Sequence, residues 1–123
     1  MHHIHVKPFS NNRMFKGKKY KTLAYENYER ALFYNLDKRI RVPATPLKLT
    51  MIIGCDVRFD VDNALKPFID VLQKRYGFND NTIYRIEITK KVVKKGNEFI
   101  KWKLESFPIG GKESEINAVE SRD

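Results

Sequence analysis

Cys55 is the single cysteine among 123 residues, so no intrachain disulfide can form and a cysteine-built zinc site is excluded. A lone thiol agrees with a reducing, intracellular setting. No apolar stretch approaches the ~20 residues that cross a bilayer, and the longest, near Met51 to Gly54, is far too short. The opening MHHIHVKPFS lacks the apolar core of a secretion signal. The chain is therefore expected to be cytoplasmic, with no membrane partner. Acids are scarce as well: 15 Asp and Glu stand against 24 Lys and Arg, a formal charge of +9. The last eleven residues, Glu113 to Asp123, hold four acids and one arginine, which leaves +12 on residues 1 to 112. That imbalance favours a polyanionic partner, nucleic acid before membrane, although a merely soluble basic surface has the same signature.

What is present suits one domain. A hydrophobic share of 41% in 123 residues supports a single modest core, marginal enough that an oligomer interface is expected. Residues 3 to 9 read as a strand, with His3 and His5 on one side at period two, more simply a solvated face than a metal pair. Ser10 to Lys19 reads as a polar, cationic loop. Tyr20 to about Arg39 follows helical spacing, with Tyr20, Tyr28 and Phe33 expected in the core. Pro43 and Pro46 break the chain before a strand from Leu47 to about Ile53. A second helix is expected from about Asn63, because Pro67 is tolerated only in a first turn. Its apolar face is Leu65, Phe68, Ile69, Leu72 and Tyr76, and Gly77 is a natural stop. Two strands, Ile83 to Lys94 and Glu98 to Phe107, flank Lys95-Gly96-Asn97 as a basic hairpin turn. The order β-α-β-α-β-β predicts an α+β domain over residues 1 to 107, with both helices on one face of a mixed sheet. Residues 108 to 123 have no apolar periodicity and are expected to form a disordered acidic tail.

The chemistry concentrates in Arg58-Phe59-Asp60-Val61-Asp62-Asn63-Ala64-Leu65-Lys66 and Asn79-Asp80-Asn81-Thr82-Ile83. If residues 58 to 62 are extended, Asp60 and Asp62 share one side. Adjacent carboxylates repel unless a proton or cation bridges them, and hard ions such as Mg²⁺ take oxygen ligands. Lys66 lies four residues after Asp62 and Asp70 four further on, a polar stripe opposite the apolar one. A lone D-x-D is usually a solvated loop or a helix cap. Here a third acid, Asp80, precedes a strand that could return beside the first. Three carboxylates and a lysine in a basic chain are the parts needed for phosphodiester hydrolysis.

The segment Asp60-x-Asp62-Asn63-x-x-Lys66, then Asp70-x-Leu72, Gly77-Phe78 and Asp80-x-x-Ile83, resembles the signature of the RusA family of Holliday junction resolvases. Pro8-x-Ser10-Asn11, Gly17 and Tyr20 resemble that family's opening, and the similarity spans about residues 6 to 105. One departure is Asn79, where the family usually carries an acid. The resemblance implies an α+β homodimer that nicks four-way DNA junctions symmetrically with Mg²⁺ or Mn²⁺, in recombination and repair. It also implies Asp60, Asp62 and Asp80 as metal-binding acids and Lys66 as the active-site lysine. Asn63 and Asp70 would support them. Arg13, Lys16, Lys18, Lys19, Arg58, Lys94 and Lys95 would track phosphate backbones. The dimer interface is expected on the outer face of the first strand or on the final hairpin.

Other functions share parts of this pattern. A non-catalytic DNA-binding module would use the same cations, with structural acids. A phosphatase with an Asp nucleophile also uses D-x-D, but in a larger α/β fold. A nuclease for flaps or forks would carry the same acids.

Overall fold

In the computed structural model, which describes residues 1–17 and 20–108, the sheet is built outward from one strand. That strand, β4 (Leu47–Cys55), alternates up to Ile53: Leu47, Leu49, Met51 and Ile53 are fully buried, while Lys48, Thr50 and Ile52 are half-buried on the other side. β5 (Ile83–Val92) pairs with it in parallel, and β6 (Phe99–Ser106) pairs with it antiparallel. β1 (His2–Ile4) pairs antiparallel with β6, giving the order β1-β6-β4-β5. A parallel neighbour needs a crossover, which is α2 (Leu65–Tyr76). α1 (Leu23–Asn35) buries Tyr25, Tyr28 and Leu32, and α2 buries Phe68, Ile69, Val71 and Leu72. Both rows join Leu49, Met51, Ile53, Ile100 and Trp102 in one core. The helices therefore share a sheet face, and the α+β expectation holds. Among the described residues no helix is long and apolar enough to cross a membrane.

Helix boundaries follow their caps. The Thr22 hydroxyl accepts from the Tyr25 N–H at 3.1 Å, so α1 starts at Leu23. Tyr20 and Lys21 are left outside, as β3 (Tyr20–Lys21), which pairs with β2 (Phe15–Lys16) to form a small ribbon. This corrects the expected plain loop, and the expected burial of Tyr20, which is 73% exposed. Tyr28 is buried and Phe33 half-buried, as expected. α2 places Pro67 third, where no intrahelical N–H is missed. It stops at Gly77, whose φ of 74° is left-handed and whose N–H donates to the Gln73 carbonyl at 2.8 Å.

Two further expectations are corrected. β1 ends at Ile4 rather than near residue 9; Pro8 has no N–H for a ladder, and Pro8 and Phe9 are buried instead. β5 and β6 do not form a hairpin, because β4 lies between them. β4 buries its inward row completely and needs a partner on both edges, whereas most of β5 is exposed. Lys94 to Asn97 thus carries the chain past the end of β4, with the Val93 N–H donating to the Cys55 carbonyl at 2.9 Å.

At that end Gly54 faces Phe99 across the β4–β6 pair, and a Cβ at Gly54 would clash with the edge of the Phe99 ring. Gly54→Ala should destabilise the fold by about 1–3 kcal/mol, as overpacking does. A denaturant titration would register this as a lower midpoint, with partial recovery when Phe99→Ala is added. An unchanged midpoint for Gly54→Ala alone would show that the ring moves aside freely.

Candidate active site

The acid-bearing segment is shaped by what precedes it. After β4, the Asp56 carboxylate accepts from the Arg58 N–H at 2.8 Å, and the Phe59 N–H donates to the Asp56 carbonyl at 3.0 Å. This is an Asx-type turn. Lys90 of β5 clamps it, donating to the carbonyls of Val57 and Phe59, both at 2.7 Å. Sequence reasoning missed Lys90. Its signal was the row Ile86-x-Ile88-x-Lys90, a cation in register with Ile53 where alternation calls for an apolar residue.

Residues Val61–Ala64 then form a 3-10 turn, so the extended geometry expected for residues 58 to 62 is not adopted. The Asn63 N–H donates to the Asp60 carbonyl at 3.1 Å, and the Leu65 N–H donates to that of Asp62. Phe59, Val61 and Leu65 pack against the core while Asp60 and Asp62 are exposed. Both carboxylates therefore lie on the solvent side, two residues apart, by anchoring of their neighbours rather than by strand pleating. Asp60 makes no side-chain cap bond, and neither carboxylate is hydrogen-bonded or ion-paired to any described residue. Asn63 is half-buried in the same turn. The segment leads into the N-terminus of α2, where helix dipole and free N–H groups favour anions.

Lys66 is turned along α2 towards Asp70, with Nζ 3.3 Å from Oδ2, rather than towards Asp62. Asp70 belongs to a polar seam between the helices. Glu29 there bridges Lys74 at 2.6 Å and Lys21 at 2.9 Å. Burial would raise the Glu29 carboxyl, but these two ammonium groups outweigh it and hold the carboxyl below its usual range. Tyr25 lies between Glu29 and Asp70, and burial first, then the two carboxylates, push its hydroxyl well above the ordinary range.

Asp80 is elsewhere. It opens the 3-10 turn Asp80–Thr82 just before β5, and its N–H donates to the Gln73 side chain at 2.8 Å. Asn79, the departure from the resembled pattern, caps this turn by accepting from the Asn81 N–H at 3.0 Å. β5 begins in register with Leu47, at the start of β4, whereas Asp60 and Asp62 follow the end of β4. The intervening α2 is about 18 Å long at ~1.5 Å per residue. The expected three-acid cluster is thus not assembled within one chain, because a parallel crossover returns the chain to the opposite end of the sheet. Among the described residues no three His, Cys, Asp or Glu side chains group as a metal site.

The cations fall closer to the acid pair. The 3-10 turn Asn11–Arg13 sits beside Val61–Ala64, and Arg13 is exposed, its guanidinium 5.3 Å from the Phe9 ring centroid. Lys16 is exposed on β2 nearby in sequence. Arg58 is exposed in the preceding turn, paired with Asp56 at 3.3 Å. Lys94 and Lys95 leave the end of β5 that is joined to Cys55, on the acid-bearing end of the sheet. Lys18, Lys19 and residues 109 to 123, expected as phosphate contacts and tail, lie outside the described residues.

Asp60 and Asp62 fit a hard divalent cation. Mg²⁺ is commonly held by one or two carboxylates with water and substrate phosphate, rather than by a full protein cage. Two exposed carboxylates without partners among the described residues, with Arg13 and Arg58 on adjoining turns, are compatible with that arrangement. Compared with models of known protein families and with curated protein sequences, the chain matches none.

Proposed function

We propose that this chain is a Mg²⁺-dependent, structure-selective endonuclease of the RusA resolvase type, acting as a symmetric homodimer on four-way DNA junctions. The observation that carries the proposal is the pair Asp60 and Asp62, exposed and without partners among the described residues, on a chain of charge +9. Solvated acids add nothing to a protein that only binds DNA, since they repel phosphate; bridged by a cation they attract it. Asp60 and Asp62 would hold the ion, with Mn²⁺ able to replace Mg²⁺. When bound, it neutralises phosphate charge and acidifies a coordinated water. Arg13, Lys16, Arg58, Lys94 and Lys95 would steer the two flanking backbone strands. Lys66, on the first turn of α2, would exchange Asp70 for a phosphate oxygen.

The distance to Asp80 supports a dimer. β5 is an edge strand of ten residues without proline or glycine, and Tyr84, Ile86 and Val92 along it are exposed. Such an edge is a template for another strand. Antiparallel pairing of β5 with the same strand of a second copy is two-fold by construction. It would bring Asp80 of the partner subunit to the end of β5 where Lys90 grips the turn before Asp60. Each metal centre would then take Asp60 and Asp62 from one chain and the third acid from the other. Two such centres match the two symmetric cuts that resolve a junction.

The test compares a four-way junction, a flap and a linear duplex of equal length, each with and without Mg²⁺. Paired nicks in the junction, only with metal, are expected. Cleavage confined to flaps would replace the junction assignment, and binding without metal-dependent cleavage of any substrate would reduce the chain to a DNA-binding module.

A further inference from the structure

The ribbon β2–β3 has a role that neither the acids nor the core accounts for. Cross-strand partners share a face, so Phe15 with Lys21 forms one side and Lys16 with Tyr20 the other. The first side is turned inward: Phe15 meets the Tyr25 ring at 6.2 Å, and Lys21 pairs with Glu29 at 2.9 Å. Lys16 and Tyr20 therefore face away from α1, side by side and exposed. The base of the ribbon is braced by hydrogen bonds and by a buried side chain. The Thr22 N–H donates to the Met14 carbonyl at 2.9 Å, the Thr22 hydroxyl donates to the Arg13 carbonyl at 2.7 Å, and Met14 is buried. This base continues from the turn Asn11–Arg13, which sits beside the acid-bearing turn.

An exposed tyrosine on a braced ribbon, with a lysine as cross-strand partner and an acid-bearing turn next to its root, offers an aromatic face with a cation beside it. We infer that Tyr20 stacks on an unpaired or unstacked base at the branch point while Lys16 holds the adjoining phosphate, making this ribbon the element that distinguishes branched DNA from duplex. A paired, stacked duplex offers no free base face, whereas a branch point does. Base–aromatic stacking is sequence-tolerant, which suits recognition of structure over sequence. The inference rests on the proposed nuclease function and assigns its substrate selectivity to two residues outside the acid cluster.

Equilibrium binding of the full chain to a four-way junction and to a linear duplex, in Ca²⁺ to suppress cleavage, tests it. Tyr20→Ala is expected to weaken junction binding by roughly 10- to 100-fold, the scale of one lost base stack, with duplex affinity unchanged. Tyr20→Phe should behave as wild type, and Lys16→Ala should weaken both substrates. Because Tyr20 is outside the core, thermal unfolding of these variants should match wild type. If Tyr20→Ala leaves junction affinity intact, or lowers both affinities equally, the stacking role is overturned while junction selectivity of the wild type stands. If the wild type itself binds junction and duplex alike, the function it rests on fails, and the ribbon's role with it.

Discussion

Asp62→Asn is expected to lower Mg²⁺-dependent junction cleavage on the order of 10²–10³-fold, the scale of deleting one electrostatic contact that stabilises developing transition-state charge. Binding should persist or tighten. The substitution preserves shape, and the Asp62 backbone carbonyl that accepts from the Leu65 N–H is untouched by it. It also removes a negative charge that repels phosphate. Asp60→Asn should behave alike. Single-turnover cleavage, set beside a gel-shift titration of the same junction, separates the two effects. An Asp62→Asn protein that cuts at the wild-type rate would remove Asp62 from the chemistry and with it the nuclease proposal.

Mixed dimers of Asp62→Asn and Asp80→Asn chains should recover cleavage that neither variant shows alone. In the proposed dimer each centre draws Asp60 and Asp62 from one chain and Asp80 from the other. One centre of a mixed dimer then collects both defects and the other collects neither. Random pairing at equal amounts makes about half the dimers mixed, so about a quarter of all centres should be intact. The recovered product should be nicked in one strand of the junction rather than in two. Co-expression with two affinity tags isolates the mixed species. If all three acids served one centre within a chain, every centre in the mixture would carry one defect and no activity would return. Absence of recovery in purified mixed dimers would therefore place Asp80 outside the centre or the interface away from β5.

Local signals in the sequence identified the elements whose formation depends on neighbours along the chain. The 3.6-residue row Leu65, Phe68, Ile69, Leu72, with Pro67 confined to a first turn and Gly77 as a stop, located α2 closely. The alternation Leu47, Leu49, Met51, Ile53 located β4. The start of α1 was hidden because Tyr20 and Lys21 continue a helical pattern; the Thr22 cap and a backbone partner in Phe15–Lys16 decided otherwise. The acid pair was legible as D-x-D before a helix, and its exposure follows from the apolar residues that alternate with it.

Partnership between distant segments was not legible in the same way. A short polar link between two strand-like runs reads as a hairpin, yet β4 inserts between β5 and β6, since a strand with a fully buried inward row and no exposed residue requires hydrogen-bonded neighbours on both edges. That insertion makes the β4–β5 pair parallel, and α2, about 18 Å long at ~1.5 Å per residue, must then carry the chain from Asp60 and Asp62 to Asp80 at the other end of the sheet. Residue types and spacing by themselves determined which groups are present, that α1, α2 and β4 form, and which side of each is apolar. Tertiary structure alone decided which carboxylates lie together. Sheet order depends on how the backbone donors and acceptors of remote strands are satisfied, and no short stretch of sequence records that.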